Sequence, residues 1–194
     1  MTNHYDPSTQ PANLLRRKEL ACDDTWIQEF LTKTRFGYFA TRWDEQPFLT
    51  PTNFWYDREL HSIFFHSNIS GRLRANIERH PQAAFSASEA GRVLPANTAL
   101  EFSIQYESVI AFGQIHLLKS REEKLHGLYG LIGKYFPQME AGVHYRPVLP
   151  AELKRTAVYQ FVIESWSGKR NWAEQALQSA EWAQLPDDWL KGWL

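Results

Sequence analysis

The chain has 194 residues, with 21 Lys and Arg against 22 Asp and Glu. Its formal net charge of −1 gives no global electrostatic case for nucleic acid or an acidic membrane. Cys22 is the only cysteine, so no internal disulfide can form and a reducing cytoplasm is the expected home. The amino-terminal MTNHYDPSTQPANLLRRKEL lacks the apolar core of a signal peptide, and no apolar run approaches the ~20 residues of a membrane span.

Length predicts one domain with added terminal segments: an extended arm over 1–15, a barrel domain over 16–170 and a Trp-rich tail over 171–194. Pro7, Ser8, Thr9, Gln10 and Pro11 disfavour regular structure in the arm. A helix is expected from about Asp24 to Lys33, with Ile27, Phe30 and Leu31 at helical spacing and Thr25 with Gln28 as a capping box. The period then changes to two. Phe36 to Thr41 reads as a strand in which Gly37 and Ala40 leave room for a close neighbour. Phe48 to Tyr56 reads as the next strand, and Pro51 assigns it an edge or a bulge.

His61 to Pro81, HSIFFHSNISGRLRANIERHP, is the most informative stretch. A strand ending at His66 passes through Ser67-Asn68-Ile69-Ser70-Gly71 into a helix over Arg72 to Arg79. A helix start carrying Arg72 and Arg74 beside two hydroxyls suits a phosphate. A polar turn with solvated arginines fits the same spacing, and both readings stay open.

Gln82 to Ala90 is a strand, Gly91 to Asn97 a loop, and Leu100 to Leu118 a long β stretch bent near Gly113. Ser120-Arg-Glu-Glu123 is a capping box opening a helix with Leu125, Leu128, Tyr129, Ile132 and Phe136 on one face. Gly142 to Lys154 is read as irregular, and Thr156 to Trp166 as the last strand. In the tail, Trp172, Ala176 and Ala180 suggest a helix broken at Pro186. Many strands without regular β-α alternation predict an antiparallel barrel.

The chemistry-bearing motifs are sparse. No Cys pair, His-Glu-x-x-His, nucleophile elbow, Walker loop or G-x-G-x-x-G is present, so no metal site is expected. What remains is a scattered set of groups suited to a phosphate and a flat polar ring: Thr41, Thr52, Asn53, His66, Ser67, Arg72, Arg74, Tyr106, Ser108, Trp166 and Lys169. Spacing alone does not bring them together. His66 is the one side chain among them with an ordinary pKa near neutrality, and a cofactor or core contact is its plainer role.

Six blocks in order carry a resemblance. They are Gly37 to Thr41, Gln46 to Asn53, Ile63 to Ser67, Gly71 to Asn76, Tyr106 to Gly113 and Ile163 to Lys169. Together they resemble the FMN-binding split-barrel proteins of the pyridoxamine 5'-phosphate oxidase-like superfamily, nearest its nitroimidazole-resistance (Nim) branch. The resemblance runs from about Arg16 to Arg170. It implies a mainly β, α+β fold: a six-stranded antiparallel split barrel with flanking helices. It also implies a homodimer with FMN between the subunits and a small-molecule substrate.

Carried over by position, His66, Ser67 and Arg72, with Arg74, would sit near the phosphate and ribityl end of FMN. Thr41 and Asn53 would face the cofactor. Tyr106 and Ser108 would line the site, and Trp166 and Lys169 would reach it across the interface. No side chain is assigned as catalytic. Pyridoxamine phosphate oxidases proper carry an Arg-Leu-x-Pro type element where this chain has Asn171-Trp-Ala-Glu174, which argues against pyridoxamine phosphate as substrate. The expected function is a flavin-dependent oxidoreductase of unassigned substrate. A non-catalytic flavin store or sensor, or the same barrel holding deazaflavin or haem, is the alternative.

Overall fold

The computed structural model describes residue 6 and residues 8–193. Of the expected arm, residues 1–5 and 7 lie outside the described residues, and the remainder forms turns. Eight strands follow: β1 (Ala21–Cys22), β2 (Phe36–Trp43), β3 (Gln46–Asn53), β4 (Trp55–Asp57), β5 (Ser62–Asn68), β6 (Gln82–Leu94), β7 (Ser103–Leu117) and β8 (Thr156–Asn171). The helices are α1 (Asp24–Lys33), α2 (Arg72–Arg79), α3 (Arg121–Tyr135), α4 (Pro150–Arg155) and α5 (Asp187–Leu190). The expected six strands are the long ones. β1, of two residues, is an addition, and the expected Phe48–Tyr56 strand is broken at Phe54 into β3 and the three-residue β4.

The sheet runs β3-β2-β6-β7-β8-β5-β4 with every pair antiparallel, and β1 pairs with β8. Its two ends, β3 and β4, are joined covalently through Phe54 but share no ladder, so the barrel is split rather than closed. β3 is an end strand, which explains how it tolerates Pro47 and Pro51.

Alternation along the strands fills the interior with aromatic rings. Phe39, Phe65, Phe85, Phe161 and Tyr159 are all fully buried. Phe39 stacks on Phe65 at 4.2 Å, and Phe65 on Tyr159 at 5.0 Å. The long hairpin β6–β7 bends onto β8 at a register shift between Phe112 and Gly113. A Cβ at Gly113 would lie 1.9 Å from the Val162 carbonyl oxygen, so this crossing needs glycine.

Several local expectations are corrected. The α1 cap is Asp23, whose carboxylate accepts from the Trp26 N–H at 2.8 Å, rather than a Thr25–Gln28 box. Aspartate satisfies a free helix donor as well as threonine does, two residues earlier. β6 continues through the expected loop to Leu94, and the irregular 142–154 connection contains α4, opened by Pro150. β8 does not stop at Trp166; it runs on to Asn171 because β1 and β7 give it partners on both sides. The helix suggested by Trp172, Ala176 and Ala180 does not form, and α5 is the tail's only helix among the described residues. The Ser120 capping box forms as read, with both reciprocal hydrogen bonds.

Candidate functional site

The residues singled out from sequence fall into three places and an interior. The first is a cleft of about 380 Å³ between β3, β5 and the C-terminal half of α3. Asn53 and His66 stand on its polar side, and Leu128, Leu131, Ile132 and Phe136 on its apolar side. Partial burial against this apolar wall lowers the His66 pKa from its ordinary 6.5, so the ring favours its neutral form.

The second place is the start of α2. Gly71 caps it with φ of +136°, a conformation L side chains rarely adopt, and no side chain caps the helix there. Free backbone N–H groups of the first turn are therefore left to an outside acceptor. Arg72 is exposed, with its guanidinium 4.6 Å from the Phe48 ring centre, and it makes no ion pair among the described residues. Arg74 is differently employed. It donates to Glu78 at 2.7 Å and to the Ile69 carbonyl at 2.7 Å, so it shapes the entry turn.

The third place is the outward face of the β7–β8 ladder. Ser108 pairs directly with Lys169, and the Lys169 ammonium stands 5.1 Å from the Tyr106 ring centre. Paired residues share a face, so Tyr106, Ser108 and Lys169 all point outward. Lys169 also lacks an ion pair among the described residues, whereas neighbouring Arg170 is held by Glu107 at 2.7 Å.

Three expected contacts stand on the inward faces of their strands instead, Thr41 buried and Ser67 and Trp166 half-buried. Thr41 is buried and accepts from the Asn76 amide at 3.0 Å, pinning α2 to β2. Ser67, half-buried toward the exposed end of β5, pairs with buried Ala157. Trp166 pairs with buried Ala111, opposite in face to Lys169. Its indole donates to Asp24 at 2.7 Å, and its ring packs on His61 at 4.4 Å. The structure thus brings Asn53 to His66, and Tyr106 and Ser108 to Lys169, but leaves Thr41, Ser67 and Trp166 out of both groups.

One surface connects the two groups. Asn53 pairs with Phe36; two residues on, Tyr38 pairs with Pro51 and Ser86, Ser86 with Ile110, and Ile110 with Ser167. The row is outward-facing, with Phe36, Tyr38 and Ile110 each more than 40% exposed. A continuous apolar face of small and aromatic residues therefore runs from the His66 cleft to Lys169. Such a face is unusual on a surface meant for water alone.

The family model described as pyridoxamine 5'-phosphate oxidase matches residues 23–170. The chain belongs to this family. No curated protein matches it. Among solved structures of similar fold is the flavocytochrome Anf3 from Azotobacter vinelandii, with 25% identity and a TM-score of 0.76, covering 87% of this chain and 76% of that one. The FAD and haem binding protein from Mycobacterium smegmatis is 18% identical, with a TM-score of 0.69 and coverage of 88% and 96%. A putative 5-nitroimidazole antibiotic resistance protein from Bacteroides thetaiotaomicron is 17% identical, with a TM-score of 0.65 and coverage of 78% and 86%. The oxidase family match ends at Arg170, one residue before β8 ends and the Trp-rich tail begins.

Two arrangements carried no readable signal in the sequence. His126 Nε2 lies 2.7 Å from Asp57 Oδ2, a pair 69 residues apart along the chain. Lys134, half-buried at the end of α3, donates to the Leu31 carbonyl at 2.9 Å and lies 3.6 Å from the Phe54 ring centre. Burial lowers its pKa to about 7. Among the described residues no helix is long and apolar enough to cross a membrane.

Proposed function

We propose that this chain is a flavin-dependent oxidoreductase that binds FMN at the join of a homodimer. The observation that carries the reading is the outward sheet face shared by Asn53, Tyr106, Ser108 and Lys169, with an apolar strip between them. One copy does not bring Arg72, at the far end of β5, to Lys169. The strand run from Ala157, beside Ser67, to Lys169 spans roughly 30–40 Å in a twisted strand, farther than a mononucleotide reaches. Two copies packed through the apolar strip would set the Lys169 end of one beside the Arg72 end of the other. Family membership over 23–170 supports the reading, as do the flavin-binding relatives named above.

The residues present fit such a group. Arg72 and the uncapped start of α2 would take the phosphate. His66 and Asn53 would meet polar edges, and Tyr106, Ser108 and Lys169 of the second copy would close the far side. When bound, flavin supplies hydride or single-electron transfer, and the protein orients it and limits access to one face. A neutral His66 can accept a hydrogen bond there, in keeping with its lowered pKa.

The test is direct. Purified protein should be yellow, sediment as a dimer and release FMN on denaturation, identified by mass. Arg72→Ala should weaken FMN binding by about 1.5–3 kcal/mol, roughly 10- to 150-fold. Unchanged affinity would remove Arg72 from the site, and a colourless monomer would end the proposal. Reduction by NADH or NADPH followed by turnover of a nitroaromatic or a quinone would establish an enzyme. Bleaching by dithionite alone would favour a flavin store or sensor. A Soret band in the spectrum would instead mark haem on the same barrel.

A further inference from the structure

The opposite flank of α3 holds a second cleft, of about 440 Å³, with a chemistry unlike that of the proposed flavin groove. Phe64, Leu118 and Leu60 form its apolar part, and Glu122, Glu123, Gln160 and His126 its polar part. His126 is held in one orientation. Its Nε2 meets Asp57 Oδ2 at 2.7 Å, and its ring stands edge-on to Trp55 at 5.0 Å and Phe64 at 5.4 Å. The Asp57 side chain is 8% exposed. Its other oxygen already accepts from the Glu59 and Leu60 N–H groups at 2.9 and 3.1 Å. The carboxylate oxygen accepts the hydrogen bond of the Nε2–H tautomer, the arrangement in which a carboxylate orients an imidazole. The lone pair then sits on Nδ1, which makes no hydrogen bond among the described residues, on a side chain that is 47% exposed.

The charges around that nitrogen choose the ligand. Asp57, Glu122 and Glu123 are carboxylates, and the neighbouring cation Lys124 is spent on the Leu153 and Thr156 carbonyls at 3.0 Å each. An anion would be repelled, and a neutral molecule would leave the acidic rim unused. A cation with N–H donors meets both the imidazole acceptor and the rim, and an apolar body covers Phe64 and Leu118.

We propose that this cleft binds a small primary amine with an apolar or aromatic body, its ammonium donating to His126 Nδ1 and Glu122. Binding here is independent of the flavin reading, because none of these residues belongs to that groove.

Amide NMR of the full chain with benzylamine as the probe tests the site. Saturable shifts are expected at Phe64, Leu118 and Gln160, of equal size in flavin-free and flavin-loaded protein. Benzyl alcohol, the neutral isostere, should bind at least tenfold more weakly. His126→Gln should weaken benzylamine at least tenfold. Glu122→Gln, at an exposed position with no hydrogen bond or ion pair among the described residues, should weaken it at least threefold. Equal binding of amine and alcohol, the absence of shifts in this cleft, or unchanged affinity in both variants would overturn the proposal.

Discussion

The barrel and the tail are both rich in aromatic residues, and they use them in opposite ways. In the barrel, Phe39, Phe65, Phe85 and Phe161 are fully buried, with the last three packed around the Phe39 ring. In the tail, Trp182, Trp189 and Trp193 are each more than half exposed. What holds the tail is polar. Asn97 exchanges two hydrogen bonds of 2.8 Å with the Ser179 backbone, and Gln105 donates to the Ala173 carbonyl at 2.9 Å. Arg92 bonds Glu174 at 2.7 Å and also the Lys191 carbonyl. Aromatic content alone therefore does not identify a core. A regular two-residue period facing a second sheet layer does.

The sharpest way to break the comparison is Phe65→Ala. The ring has no exposed surface and two stacked partners, so its loss removes transfer energy and leaves a cavity. The expected cost is about 3–5 kcal/mol, seen as a lower urea midpoint with an unchanged slope. A loss under about 1 kcal/mol would mean that the barrel is no better packed than the tail.

Lys134 stands between the two regimes, a charge anchored by burial as well as by polar contact. Its folded pKa, near 7, lies below its ordinary 10.5. Between those values the unfolded chain holds a proton that the folded chain has released, so stability rises as pH climbs through that window. Below about pH 7 both states are protonated, and the burial penalty is present in full. The Leu31 carbonyl and the Phe54 face offset part of it. The slope cannot exceed the one-proton limit of about 1.4 kcal/mol per pH unit and is steepest midway through the window. Urea midpoints from pH 7 to 10 should climb more steeply for the native chain than for Lys134→Met. Parallel curves would show that Lys134 keeps its proton in the fold.

The same contrast explains what could be read from sequence. The bounds of α1 and α2 were legible from 3.6-residue spacing, and the Ser120 box from its Ser-x-x-Glu pattern, because both are local signals. Pro51 placed its strand at an end for an equally local reason, the missing donor. The tail helix was misread because Ala and Trp spacing says nothing about the Asn97 and Gln105 partners that hold that segment in another path. Trp166 and Lys169 were carried over together from one block of the resemblance, yet an extended strand turns them to opposite faces. Thr41 looked like a cofactor contact for want of any sign that Asn76 would meet it inside. The His126–Asp57 pair joins α3 to β4, and no local pattern announces a contact of that kind.

The tail offers the smallest and most discriminating pair of changes. Asn97→Ala removes the two-way bond to Ser179, and a neutral pair of this kind contributes about 1 kcal/mol net. Because the barrel core does not touch this contact, the loss should fall on the tail. Hydrogen exchange at 173–185 should speed up while β7 and β8 stay protected. Trp182→Ala removes a larger side chain, but one that is 68% exposed, and it should change stability by no more than about 0.5 kcal/mol. An asparagine would then outweigh a tryptophan in the same segment, the reverse of the order in the barrel. If Trp182→Ala proves the costlier of the two, the tail's indoles are covered in solution, and the apolar surface they present belongs to an interface rather than to water.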